Sequence, residues 1–187
     1  MSDNRIALLV MDFQAGIVAR LGSPVVVDAA ARAVAAARAH AVPVVFVRVA
    51  FRPGYPEVAS SNRSFGRTAT AGDVMTESHA ATQVHDAVTP RADEPVVLKR
   101  RVSAFTGSDL EVLLRGLGAD SLVLAGISTS GVVLSTLRQA ADLDFRLTVL
   151  ADACADTDDE VHRVLMEKVF PKQAAVTTVD DWAQSLG

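Results

Sequence analysis

A chain of 187 residues with a single cysteine, Cys154, can build neither an internal disulfide framework nor a cysteine-based zinc cluster, which fits a reducing compartment. Lysine is nearly as scarce: of 18 basic residues, 15 are arginine and 3 are lysine. No long basic stretch accompanies the net charge of −4, so the chain lacks the clustered cations that phosphate binding needs, and nucleic acid is not expected as a partner. A long apolar run is missing too. The N-terminal stretch Ile6–Val10 is far too short for a signal sequence or a membrane span, so no membrane partner and a cytoplasmic location are expected. Against a background of arginine, Lys99 stands out as a place where a compact ammonium is wanted.

Half of the residues are hydrophobic, enough for one substantial core and hardly two, so residues 1–187 are expected to form a single domain. Short apolar runs alternate with segments of helical spacing, the pattern of a parallel sheet covered on both faces. Strands are predicted at Ile6–Met11, Val44–Ala50, Pro95–Lys99, Ser121–Ala125, Arg146–Leu150 and Ala174–Thr178. Helices are predicted at Val25–Ala41, Ser108–Leu117, Ser130–Leu143 and Asp158–Phe170, with a short C-terminal one containing Trp182. From Phe51 to about Pro95 the periodicity weakens among Pro53, Gly54, Pro56, Gly66 and Gly72, which reads as a long functional loop with one short helix near Ser78–Ala87. The fold class is therefore α/β: three layers, α/β/α, around a central, mainly parallel, doubly wound sheet.

Parallel strands linked by crossovers of one hand place all their carboxyl ends on one edge, and ligands bind in the crevice there. Asp12, Lys99 and the turn Gly126–Gly131 each follow a strand at that edge. A carboxylate beside an ammonium can become a proton carrier once substrate excludes water, which makes Asp12 the candidate acid/base and Lys99 its partner. The plainer alternative is that Asp12 caps a loop and Lys99 opens a solvated Lys99-Arg100-Arg101 run. In the same way, Ser128, Thr129, Ser130 and Gly131 precede a helix and can offer N–H groups to a developing oxyanion; capping by Ser128 or Ser130 explains the same residues.

These residues resemble a known family. Leu8-Leu9-Val10-Met11-Asp12-Phe13-Gln14, Lys99-Arg100-Arg101-Val102-Ser103-Ala104-Phe105, Leu124-Ala125-Gly126-Ile127-Ser128-Thr129 and Ala151-Asp152-Ala153-Cys154-Ala155 together are similar to the isochorismatase-like hydrolases, the cysteine hydrolase or nicotinamidase-related group. The resemblance implies a hydrolase of small molecules, frequently oligomeric, so a homodimer or homotetramer is expected. It also implies a catalytic aspartate, lysine and cysteine. The first two map onto Asp12 and Lys99. Gly126, Thr129, Val133 and Thr136 then assign the cysteine slot to Val132, which cannot attack a carbonyl. Cys154 follows another strand and reads as a packed residue.

One branch of the family lacks the cysteine, has glycine in that slot and cleaves a vinyl ether, the aspartate protonating carbon to give an oxocarbenium ion that water captures. The expectation is thus a hydrolase dependent on Asp12 and Lys99, with C–O cleavage of a vinyl ether as one reading. The alternatives are an amidase using water or a serine (Ser128, Ser130 or Ser135), and a silent small-molecule binder or scaffold. No metal and no organic cofactor are expected, since the loop Phe51–Glu57 lacks the histidines of the nicotinamidase branch, while His79 and His85 read as surface or helix residues. Gln14, Phe13, Phe51, Tyr55, Arg63, Phe65 and Phe105 are the candidate pocket residues, Phe13 and Phe105 equally readable as core, with Arg52, Arg63 and Arg67 either able to hold a carboxylate or simply solvated at the surface.

Overall fold

In strand β1 (Ile6–Met11), successive side chains belong to different cores: Ala7, Leu9 and Met11 to one, Leu8 and Val10 to the other. A strand buried on both faces needs a continuous apolar run, and the computed structural model, which describes residues 5–70 and 72–187, places β1 at the centre of the sheet. Helices α1 (Ala15–Leu21) and α2 (Pro24–Ala39) follow, then β2 (Val44–Val49), β3 (Val96–Lys99), α3 (Leu110–Leu117) and β4 (Ser121–Ile127). The chain continues through α4 (Leu134–Asp142), β5 (Arg146–Ala155), α5 (Asp159–Val164), β6 (Ala175–Thr177) and α6 (Val179–Gln184).

Among the described residues the six strands form one parallel sheet in the order β3-β2-β1-β4-β5-β6. α2 buries Val26, Val27, Ala30, Ala33, Val34 and Ala37 with Trp182 of α6 on one face; Leu110 and Leu114 of α3 and Leu137 and Ala140 of α4 cover the other. The result is the three-layer arrangement expected from the alternation of elements. Strand order reverses between β1 and β4, so the crevice at their carboxyl ends is the switch point of the sheet. Gly126, opposite Met11 in that pair, has no room for a side chain, because a Cβ would lie 3.0 Å from Val133 and 3.2 Å from Met11.

Several expectations shift in detail. α1 was not foreseen, although Gly22 in the left-handed conformation (φ 68°) and Pro24 mark its end. β4 and β5 run longer than predicted because their extensions pair with each other, Gly126 opposite Cys154 and Ile127 opposite Ala155. The helix predicted from Ser130 opens instead as a π-type turn over Thr129–Val133, closed by the Val133 N–H donating to the Ser128 carbonyl at 3.2 Å. The expected helix near Ser78–Ala87 is two 3₁₀ turns, Ala80–Thr82 and Asp86–Val88. Their N-caps are His79 and His85, whose Nδ1 atoms accept from the N–H groups of Ala81 and Ala87. No helix among the described residues is long and apolar enough to cross a membrane.

Candidate active site

Asp12 is the first residue past β1, and its backbone lies in the left-handed region, φ 58°. Aspartate and asparagine tolerate that region better than other residues with a side chain, and a departure of this kind at a strand end re-aims the side chain. The carboxylate is almost fully buried: Oδ2 lies 2.8 Å from Lys99 Nζ, and Oδ1, also buried, has no hydrogen-bond partner among the described residues. Burial raises the Asp12 pKa, and this outweighs the lowering by the Lys99 charge and hydrogen bond.

Lys99, at the end of β3, is 1% exposed and is no part of a solvated run. Its ammonium donates to the carbonyls of Arg101 at 3.1 Å and Val102 at 3.0 Å as well as to Asp12, so all three N–H bonds are engaged. Arg100 turns inward too. Its guanidinium donates to the Ala50 carbonyl and to Glu77, and lies 3.4 Å from Glu57, while Arg101 donates to the Glu57 carbonyl at 2.7 Å. The long loop is thereby tied to the residues next to Lys99.

At the β4 end, Ser128 caps the π-type turn, its hydroxyl accepting from the Gly131 N–H at 3.1 Å. The Ser130 N–H donates to Asp156 Oδ2 at 2.7 Å; burial opposes ionisation of Asp156, but this contact and the N–H groups of Thr157 and Asp158 hold it below the usual carboxylate range. Two of the four expected oxyanion donors, Ser130 and Gly131, are therefore spent on internal acceptors, because a turn this tight must satisfy its own N–H groups. Buried Thr129 pairs with His162 Nδ1 at 2.8 Å, a contact with no sequence signal beyond the placement of His162 on the α5 pattern. Cys154 is buried and its thiol is pushed up to about 12, so it holds no thiolate at neutral pH.

Asp12, Lys99, Ser128, Gly131 and Val132 line one cavity of about 840 Å³. Phe65 lines it, together with Ile17, Arg20, Arg67, Val74, Met75 and Val102. The other pocket candidates do not. Phe13 and Phe105 pack into the two cores; Phe51 and Tyr55 form a small separate cluster under Phe65, the Tyr55 hydroxyl donating to the Gly72 carbonyl at 2.7 Å. Arg63 does not reach the cavity and Arg52 pairs with Glu57, whereas Arg20 arrives from the unforeseen α1.

Gln14 is a clamp and not a pocket residue. Its amide donates to the carbonyls of Val49 at 2.9 Å and Thr82 at 2.8 Å and accepts from the Val49 N–H at 2.8 Å, so a side chain continues the β2 ladder and ties down the long loop. Gln14→Leu would orphan these buried backbone groups. The expected loss is about 2–3 kcal/mol, read as a lower urea midpoint at unchanged slope.

The family model described as "Isochorismatase domain" matches residues 6–181. The chain belongs to the isochorismatase family. It is 34% identical over 185 residues to the isochorismatase family protein YecD of Escherichia coli O157:H7, covering 96% of this chain and 95% of that one. It is 33% identical over 186 residues to the maleamate amidohydrolase of Pseudomonas putida, covering 96% and 86%. The structure of an isochorismatase family protein from Burkholderia thailandensis superposes with a TM-score of 0.84 at 27% identity, covering 98% of this chain and 96% of that one. Hydrolysis of small molecules is the chemistry of the isochorismatase family; in this member the buried Asp12 carboxylate and the apolar Val132 line the same cavity.

Proposed function

We propose that this isochorismatase-family protein hydrolyses a small molecule without a side-chain nucleophile, and that the bond broken is the C–O bond of a vinyl ether. The observation that carries the reading is the unpartnered Oδ1 of Asp12, buried at the wall of the cavity that Val132 also lines. A carboxyl whose pKa is raised by burial is suited to giving up a proton, whereas Val132, at the position of the family's cysteine, offers nothing to attack a carbonyl. Asp12 delivers its proton to the terminal vinyl carbon, leaving an oxocarbenium ion; water adds to that cation and returns a proton to the carboxylate; the hemiketal then collapses to a ketone and an alcohol. Lys99, its donors fully engaged, stabilises the carboxylate formed on proton transfer. No step calls on a metal or a cofactor.

The test is product analysis after incubating the protein with an isochorismate-type vinyl ether in D₂O. Solvent deuterium in the new methyl group of the keto product is expected; cleavage without it would rule out carbon protonation. Kinship with the maleamate amidohydrolase favours a second reading, attack of water on an amide with Asp12 as base, and a panel of small amides tests it. Folded protein that turns over neither class while still binding members of the panel would favour a silent binder.

Val132→Cys offers a separate check. Valine and cysteine are close in volume, so the stability cost should stay within about 1.5 kcal/mol. The variant is expected to become alkylatable by iodoacetamide and to gain amide or ester hydrolysis. An alkylatable but inert variant would show that the remaining N–H groups are not aimed at a carbonyl oxygen.

A further inference from the structure

The charged groups that line the cavity are Asp12, Lys99, Arg20 and Arg67. Asp12 and Lys99 face each other at 2.8 Å, a pair that is neutral when Asp12 is ionised and positive when it holds a proton; in either state Arg20 and Arg67 add two guanidinium groups with no further carboxylate in the lining, in a protein whose net charge is −4. Arg38, Arg48, Arg100 and Arg101, by contrast, spend their guanidinium groups on internal acceptors. Neither Arg20 nor Arg67 has a side-chain hydrogen bond or ion pair among the described residues. Arg20 comes from the last turn of α1 and Arg67 from the long loop, so two elements far apart in sequence each bring one cation to one cavity. The last-turn position of Arg20 also suits the α1 dipole, but that accounts for neither the side chain's place in the cavity wall nor its coincidence with Arg67.

We infer that Arg20 and Arg67 hold the anionic end of the substrate, and that the substrate class is a small carboxylate whose reacting bond lies between this end and Asp12. A cavity with a net positive lining concentrates anions, and a guanidinium binds a carboxylate through paired charge-assisted hydrogen bonds. The apolar residues Ile17, Leu21, Val74 and Met75 in the same lining suit the uncharged body of such a molecule. The inference builds on the proposed hydrolysis at Asp12 but concerns recognition, so the two can fail separately.

The test compares maleate with its neutral diamide as probes, by calorimetry, on the wild type, Arg20→Gln, Arg67→Gln, the double variant and Asp12→Asn. Wild type is expected to prefer maleate by at least about tenfold, more at low ionic strength than at high. Each single variant should lose most of that preference and the double variant all of it, with circular dichroism unchanged because both arginines are exposed. Asp12→Asn should keep it. Equal affinity of wild type for the two probes, no binding of maleate, or a preference surviving in the double variant would overturn the inference. If the preference behaves as expected while Asp12→Asn still turns over substrate, the clamp stands and the assignment of Asp12 falls. If Asp12-dependent turnover is found with no charge preference, the clamp alone fails.

Discussion

Asp12→Asn is expected to lower turnover about 10³-fold while leaving the protein folded, the range associated with loss of a positioned acid or base. Asparagine is the informative replacement because it keeps the shape, retains an oxygen to accept from Lys99 at the present 2.8 Å contact, and tolerates the left-handed backbone at φ 58°. Alanine would confound the loss of the proton with backbone strain. The pH profile adds a sign. If the carboxyl acts as an acid, activity resides in its protonated form and falls as pH rises through the Asp12 pKa, which burial has raised. A base acting on water would give the opposite limb, activity rising through the same value. Steady-state rates of wild type and Asp12→Asn across pH measure both, and an Asp12→Asn enzyme as fast as wild type would remove Asp12 from the chemistry.

Lys99→Met is expected to cost about 3–5 kcal/mol at neutral pH, the penalty for leaving a buried charge without its partner. The substitution strips Asp12 Oδ2 of its ion pair with Lys99, beside an Oδ1 without a partner among the described residues, and takes the donor from the Arg101 and Val102 carbonyls. The dependence on pH follows from linkage. Burial already raises the pKa of Asp12 in the folded protein, and loss of the Lys99 charge removes what lowers it, so the folded state of the variant binds its proton at a higher pH than the unfolded chain does. The Asp12 contribution is therefore fully present below the unfolded-state pKa and is lost as pH rises through the folded-state value. Denaturant unfolding of wild type and variant in mildly acidic and in neutral buffer should show the gap widening as pH rises; a gap independent of pH would mean that Asp12 stays charged without Lys99.

The parts of the fold that could be read from the chain were those governed by burial. Runs such as Ile6–Met11 and Ser121–Ala125 are apolar because both faces of the strand are covered, and their order places Asp12, Lys99 and the 126–131 turn on one edge before any side chain is positioned. What could not be read depends on individual hydrogen bonds. Nothing in the period of the chain says that the Gln14 amide will stand in for a strand, that Ser130 will give its N–H to Asp156, or that His79 and His85 will cap single turns. The aromatic residues divide for a related reason: Phe13, Phe51, Tyr55 and Phe105 pack into the cores while Phe65 lines the cavity, and composition alone does not separate the two roles. α1 was legible in principle, through Gly22 and Pro24, but it is short and follows a strand end, where a loop is the ordinary expectation.

The tethers of the long loop carry one more implication. Gln14, two residues beyond Asp12, grips Thr82, and Arg100, the neighbour of Lys99, grips Ala50, Glu57 and Glu77. Both anchors are thus spliced into the segments that bear the charge pair, and selectivity and chemistry share one mechanical frame. The wall of this pocket is not a part that evolution or an engineer can exchange by itself: a loop transplanted from a relative has to bring acceptors for Gln14 and Arg100, or the acid and the ammonium shift with it.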